Sequence, residues 1–148
     1  MANMNNRHPF FAAVYLIARR GDTILMADRQ NTGYADGQWS VVAGHIEAEE
    51  SMFSALQREA LEEAGVIIAK EDMRVVHVMH RNCGVENSRF DIFIESEKMI
   101  GEPYIAEPEK CSEMRWVSVL ALPENTVPYV REAIVHIQRG EMLSEYDF

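Results

Sequence analysis

Apolar residues along this chain fall into short blocks, each closed by turn formers. Residues 10–19 (FFAAVYLIAR) are apolar and β-prone throughout, which predicts a buried strand. Gly21-Asp22 marks a turn, and residues 23–27 (TILMA) predict the returning strand of a hairpin. Residues 30–38 (QNTGYADGQ) are rich in turn formers and predict a loop. Residues 39–43 (WSVVA) predict a short strand that Gly44 ends. The period then changes: residues 50–64 carry helical periodicity, with Gly65 as a stop signal. Two more strands are predicted at 75–80 (VVHVMH) and 89–95 (RFDIFIE), joined by a loop containing Gly84. Residues 101–111 (GEPYIAEPEKC) predict a second loop, 116–119 (WVSV) a last short strand, and 127–139 a final helix with Gly140 beyond its end.

Strands outnumber helices, and the helices enter singly. With no repeat, low-complexity tract or linker, the pattern predicts one α+β or mixed α/β sandwich domain. Polar residues 1–9 read as a flexible N-terminal arm. Residues 141–148 read as a C-terminal tail, either packed on a neighbour or free. That leaves 10–140 as the domain.

Composition narrows the function classes. The chain has 148 residues, 47% hydrophobic and 26% charged, which suits one globular domain. Fourteen Lys plus Arg against twenty-four Asp plus Glu give a net charge of −10. A polyanion is repelled by that field, so duplex nucleic acid is not the expected partner. A small anionic ligand needs a cation or local arginines to offset it. No apolar run approaches a membrane span, and residues 1–9 hold no signal-peptide core. Cys83 and Cys111 lack C-x-x-C spacing, and reduced thiols in a cytoplasm are the simplest reading.

The informative stretch is 44–66, GHIEAEESMFSALQREALEEAGV. At about 100° per residue, with Arg58 at zero, Glu62 lies at about 40°, Glu59 at about 100° and Glu63 at about 140°. Leu56, Ala60, Phe53 and Ala64 follow between about 160° and 240°. The helix thus has an apolar face for the core with an acidic face beside it. Glu50 stands two turns before Arg58 and can pair with it. Glu59 and Glu63 repel at four-residue spacing, with no lysine to relieve them. A solvated acidic face is the plainer account of such glutamates. A hard divalent cation that takes carboxylate and phosphate oxygens together is the other.

The spacing decides between them. Gly44, five residues, Glu50, seven residues, Arg58-Glu59-Ala60, one residue, Glu62-Glu63, one residue and Gly65-Val66 form one continuous pattern. It resembles the signature of the Nudix hydrolase family, G-x5-E-x7-R-E-U-x-E-E-x-G-U, where U is a bulky aliphatic. All seven fixed residues match. Ala60 departs, standing where a larger aliphatic is usual, and looser packing is expected there. Val42-Ala43 stand where Pro-Gly often precedes the glycine. The run from Trp39 into Gly44-His45-Ile46-Glu47 is similar to the family too, as are Gly101-Glu102-Pro103, the stretch from Glu107 to Cys111, Trp116 and Leu122-Pro123.

The resemblance implies an α/β fold: the Nudix α/β/α sandwich with a mixed central sheet, in a single domain. It implies hydrolysis of a nucleoside diphosphate linked to another group, with Mg²⁺ as cofactor and Mn²⁺ as an alternative ion. It assigns Glu59, Glu62 and Glu63 as catalytic residues and metal ligands, with the Gly44 carbonyl as a further ligand. Glu59 is the expected general base, or the ligand that orients the attacking water. Some members take the base from a later loop, and here Glu113 is the candidate ahead of Glu107, and is also expected among the metal ligands. Arg58 and Glu50 are expected as structural support. Homodimers are common in the family, which leaves a homodimer open.

Weaker signals complete the set. Tyr34 is a candidate to stack on a base, and His45 and Arg29 are candidates for substrate contact. Arg81, at a strand end, could reach phosphate. Phe10 and Phe90 are read first as core. His77 and His80, three apart on a strand, point to opposite faces, so a zinc pair is not expected. The leading expectation is a Mg²⁺-dependent pyrophosphohydrolase of small nucleotides, of the NTP or dNTP class, in the cytoplasm. The alternatives are hydrolysis of a nucleotide-sugar, ADP-ribose or capped RNA end, and a nucleotide sensor without turnover.

Overall fold

The computed structural model describes residues 6–148. Most of the expected arm at 1–9 lies outside the described residues; within them His8 Nε2 sits 2.9 Å from Ser88 Oγ. Strands β1 (Phe11–Arg20) and β2 (Thr23–Arg29) form the expected hairpin around Gly21, whose φ of 58° only glycine adopts readily.

Six more strands and two helices follow: β3 (Trp39–Ser40), β4 (Ala43–His45), α1 (Met52–Ala64), β5 (Arg74–Arg81), β6 (Arg89–Ser96), β7 (Cys111–Ser118), α2 (Pro128–Gln138) and β8 (Leu143–Tyr146). The sheet runs β3-β2-β1-β6-β5-β8, with β4 paired to β1 and β7 to β2. It is mixed: β1 runs parallel to β6, and β2 and β4 run antiparallel to β1.

Both faces of the sheet are covered. Ala13, Tyr15 and Ile17 pack in one cluster with Tyr129, Val130, Ala133 and Ile134 of α2. Val14, Leu16 and Ala18 pack in the other with Ala55, Leu56, Ala60 and Ala64 of α1. A strand buried on both sides has no polar face, which is why β1 is apolar without alternation. The result is the expected α/β/α sandwich. Among the described residues no helix is long and apolar enough to cross a membrane.

Three elements differ from expectation. The strand at 39–43 is two pieces, β3 and β4, with buried Val41 and Val42 between them facing opposite cores. The last strand, expected at 116–119, begins at Cys111; Ser112, Glu113 and Arg115 are exposed and polar, so only Met114 and Cys111 break the polar run and the sequence signal starts late. The segment 141–148, expected as a tail, supplies β8, which pairs parallel with β5. His77 is buried and pins that strand through both ring nitrogens, 2.7 Å from the Glu141 carbonyl and 2.7 Å from Ser144 Oγ.

Candidate active site

Helix α1 is built to hold its polar face in place. The Ser51 hydroxyl caps it, accepting from Ser54 N at 3.1 Å. Gly65 ends it in the left-handed region, with φ 65°, and donates back to Leu61 O at 3.1 Å. Ala60 is fully buried in the α1 core, so the smaller residue keeps its place on the apolar face.

Arg58 is the centre of the acidic side. Its guanidinium donates twice to Glu50, at 2.8 and 3.0 Å, and to Glu59 at 2.7 Å. Glu62 lies at 3.5 Å and Glu47 at 3.8 Å, while the His45 carbonyl accepts at 3.1 Å. One cation therefore ties the glycine loop to the helix, as the Glu50–Arg58 spacing suggested. The bidentate contact from Arg58 holds Glu50 down at about 2.

The three helix glutamates differ in surroundings. Glu62 is half-exposed. Glu59 faces the Gly44 backbone so closely that a Cβ at residue 44 would collide with its carboxylate. Burial raises Glu59 above the ordinary carboxylate range against the pull of Arg58. Glu63 accepts one hydrogen bond, from Ala43 N at 3.1 Å, and is pushed up to about 8, chiefly by burial and then by the Glu59 charge. Each unit of such a shift corresponds to about 1.4 kcal/mol, so an ionised Glu63 is costly without a cation.

A cleft of about 390 Å³ opens in front of Glu63 and Gly44. Its wall also holds Arg29, Tyr34, His45, Arg89, Glu107 and Lys110, with Tyr15 and Tyr129 deeper in. Arg29 is set by the 30–38 loop, donating to the Tyr34 carbonyl at 3.0 Å and to Thr32 Oγ1 at 3.1 Å. His45 lies 3.4 Å from an Arg89 nitrogen, and burial followed by the Arg89 charge lowers its ionisation.

Glu107 joins this group and Glu113 does not. The loop before β7 docks on the end of α1: Tyr104 N donates to Ala64 O at 3.1 Å and Ala106 N to Glu63 O at 3.2 Å. Glu107 consequently lies in the cleft, where its charge raises both Glu59 and Glu63. Glu113 sits on β7 with both carboxylate oxygens 2.9 Å from Arg115, whose guanidinium covers the Trp39 ring. The early start of β7 is the reason: residue 113 belongs to a strand and not to the loop. Arg81 is also placed differently: it is buried, paired with Asp91 and covered by the Tyr129 ring, and does not line the cleft. Arg89, Lys110, Tyr15 and Tyr129 were not anticipated; only tertiary packing brings them to the cleft.

Glu59, Glu63 and Glu107 are oxygen donors around a glycine loop, which suits a hard divalent cation. Among the described residues no three acidic, histidine or cysteine groups yet converge as a ready-made metal cage. Arg58 holds the Glu59 carboxylate, and Glu63 has a carboxyl with one hydrogen bond where a cation would relieve its burial.

The NUDIX domain profile matches residues 7–136. The chain belongs to that family. The chain is 27% identical over 111 residues to the NAD-capped RNA hydrolase NudC of Pseudomonas aeruginosa, a match covering 75% of this chain and 37% of that protein. This Nudix chain thus spans well under half the length of that curated relative. Among solved structures, the MutT NUDIX hydrolase of Burkholderia pseudomallei superposes with a TM-score of 0.76 at 20% identity, over 86% of this chain and 97% of that one. The MutT protein of Methanosarcina mazei Go1 gives 0.74 at 21% identity, over 88% and 94%. At these identities the structures establish the Nudix fold.

Proposed function

We propose that this protein hydrolyses the diphosphate linkage of a small nucleotide of the NTP or dNTP class to a nucleoside monophosphate, with Mg²⁺ as its cation and Mn²⁺ as a substitute. The observation that carries this reading is Glu63, a half-buried carboxylate at the edge of the cleft beside the glycine loop, with a single hydrogen bond, from Ala43 N, to satisfy it. Glu59, Glu63, Glu107 and the Gly44 carbonyl would hold the cation, with half-exposed Glu62 at its outer side. When bound, the cation supplies charge neutralisation for the diphosphate and acidifies water. Glu59 would take the proton of the attacking water, a task suited by the proton affinity that burial raises above the ordinary carboxylate range. Arg29 and Lys110 meet the phosphates; Tyr34 and His45 meet the nucleoside. Arg58 and Glu50 keep the helix and glycine loop in register. Water attacks phosphorus, the bond to the bridging oxygen breaks, and pyrophosphate leaves from a triphosphate.

A cleft of about 390 Å³ is in the size range of small-molecule sites and supports a mononucleotide. A second reading, hydrolysis of NAD or of an NAD-capped RNA end, is supported by the similarity to NudC. The net charge of −10 disfavours duplex nucleic acid as a partner, and free Cys83 and Cys111 suit a cytoplasmic setting. The test is chromatography of products after incubation with Mg²⁺ and NTPs, dNTPs, nucleotide-sugars, ADP-ribose, NAD and capped RNA. Monophosphate and pyrophosphate from the triphosphates support the leading reading. Turnover of NAD or capped RNA alone moves the assignment to the second. Binding without turnover of any of them leaves a sensor.

A further inference from the structure

Behind the cleft wall lies a charge pair that the hydrolytic chemistry does not use. Arg81 on β5 and Asp91 on β6 are both buried, and Arg81 Nε donates to Asp91 Oδ2 at 2.6 Å. The other carboxylate oxygen, Oδ1, is buried with no hydrogen-bond partner among the described residues. Burying two charges costs several kcal/mol each before their attraction is counted, and an unmet oxygen adds to that. A pair of apolar residues would hold β5 to β6 at least as well. Fold stability is therefore a poor account of Arg81 and Asp91.

Their placement supplies a better one. The Arg81 guanidinium stands 3.5 Å above the centre of the Tyr129 ring, face-on. Tyr129 is the second residue of α2 and reaches the cleft wall. Its hydroxyl accepts from the Tyr15 hydroxyl at 3.3 Å, and Tyr15 is stacked on Phe93 with centroids 4.6 Å apart. Tyr34, exposed on the 30–38 loop, lies at the same end of the cleft. Tyr15, Tyr34 and Tyr129 thus give this end of the cleft wall three aromatic rings with hydroxyls, with Arg29 beside Tyr34 through its bond to the Tyr34 carbonyl. Flat, uncharged, hydrogen-bonding chemistry is what such an end accepts.

We infer that Arg81 and Asp91 are positioning residues for the nucleobase end of the substrate: Asp91 fixes Arg81, Arg81 fixes the Tyr129 ring, and Tyr129 with Tyr15 and Tyr34 forms the base-contacting wall. This rests on the nucleotide reading above. The pair touches no substrate; it acts through Tyr129. Losing it lets the ring move, which weakens ground-state and transition-state binding alike, so KM rises and kcat stays.

The test is steady-state kinetics with the best nucleotide substrate for wild type, Arg81→Gln/Asp91→Asn and Tyr129→Ala, with melting curves for each. The double substitution removes both charges together and keeps hydrogen-bonding groups, so no lone charge is left buried. The expected result is a KM at least about tenfold higher for both variants, with kcat within about threefold, corresponding to at least about 1.4 kcal/mol of uniform binding. An unchanged KM in the folded double variant overturns the inference. If the double variant does not fold, Tyr129→Ala decides: an unchanged KM there removes the wall itself. Wild-type turnover is read separately, so absent nucleotide hydrolysis counts against the function and an unmoved variant-to-wild-type ratio counts against the positioning role.

Discussion

No side chain fits between the Gly44 backbone and the Glu59 carboxylate in its present position; a Cβ at residue 44 would overlap Glu59 Oε1. The glycine is thus a spatial requirement of the glutamate. Gly44→Ala should push Glu59 away from the loop and from Arg58. Turnover is expected to fall about a hundredfold, or about 2.7 kcal/mol, in a protein that still folds. Rates within about threefold of wild type would show that Glu59 does not need this contact.

The two loop candidates separate cleanly. Glu107 lies in the cleft and interacts with Glu59 and Glu63, whereas Glu113 is held by Arg115 outside it. Glu107→Gln should lower kcat/KM at least about tenfold, about 1.4 kcal/mol, and Glu113→Gln should leave it within about twofold. The reverse order would restore Glu113 as the loop residue of the site.

Glu63 links pH to stability in the metal-free protein. Its folded value is raised to about 8, so the stability it contributes is complete below the ordinary carboxylate value of 4.5 and is lost as pH rises through about 8. With chelator present, the melting temperature of wild type relative to Glu63→Gln should fall between pH 5 and pH 8.5. Added Mg²⁺ should then raise melting more at pH 8.5 than at pH 5. A pH-independent gap between the two proteins would remove Glu63 as the buried acid.

Glu50 works in the opposite sense. Arg58 holds it at about 2, so its contribution is present above 4.5 and lost as pH falls through about 2. The melting difference between wild type and Glu50→Gln should stay level from neutral pH to about 5 and close as pH approaches 2. A gap that survives at pH 2 would mean the effect is not the ion pair.

Helix α1 was readable because one segment satisfies several constraints at once. Ala60 is fixed by packing, Gly65 by the helix stop and Glu59 by its contacts with Arg58 and the Gly44 backbone, all within one short stretch of chain. The hairpin around Gly21 was readable for the same local reason. Strand β8 was not: it has four residues, two of them exposed, and its anchor is His77, sixty-odd positions earlier. Glu107 was ranked below Glu113 because nothing local shows that β7 starts at Cys111. Arg81 read as a phosphate contact because a strand-end arginine gives no sign of the Tyr129 ring that will cover it.

Arg58 has one more implication. Its guanidinium joins Glu50, Glu59, Glu62 and the His45 carbonyl within the protein itself. The rotational freedom of those groups is surrendered once, during folding, and need not be surrendered again on association. Under the proposed function, a substrate would find these side chains already held in place, and less of its binding energy would go into ordering them.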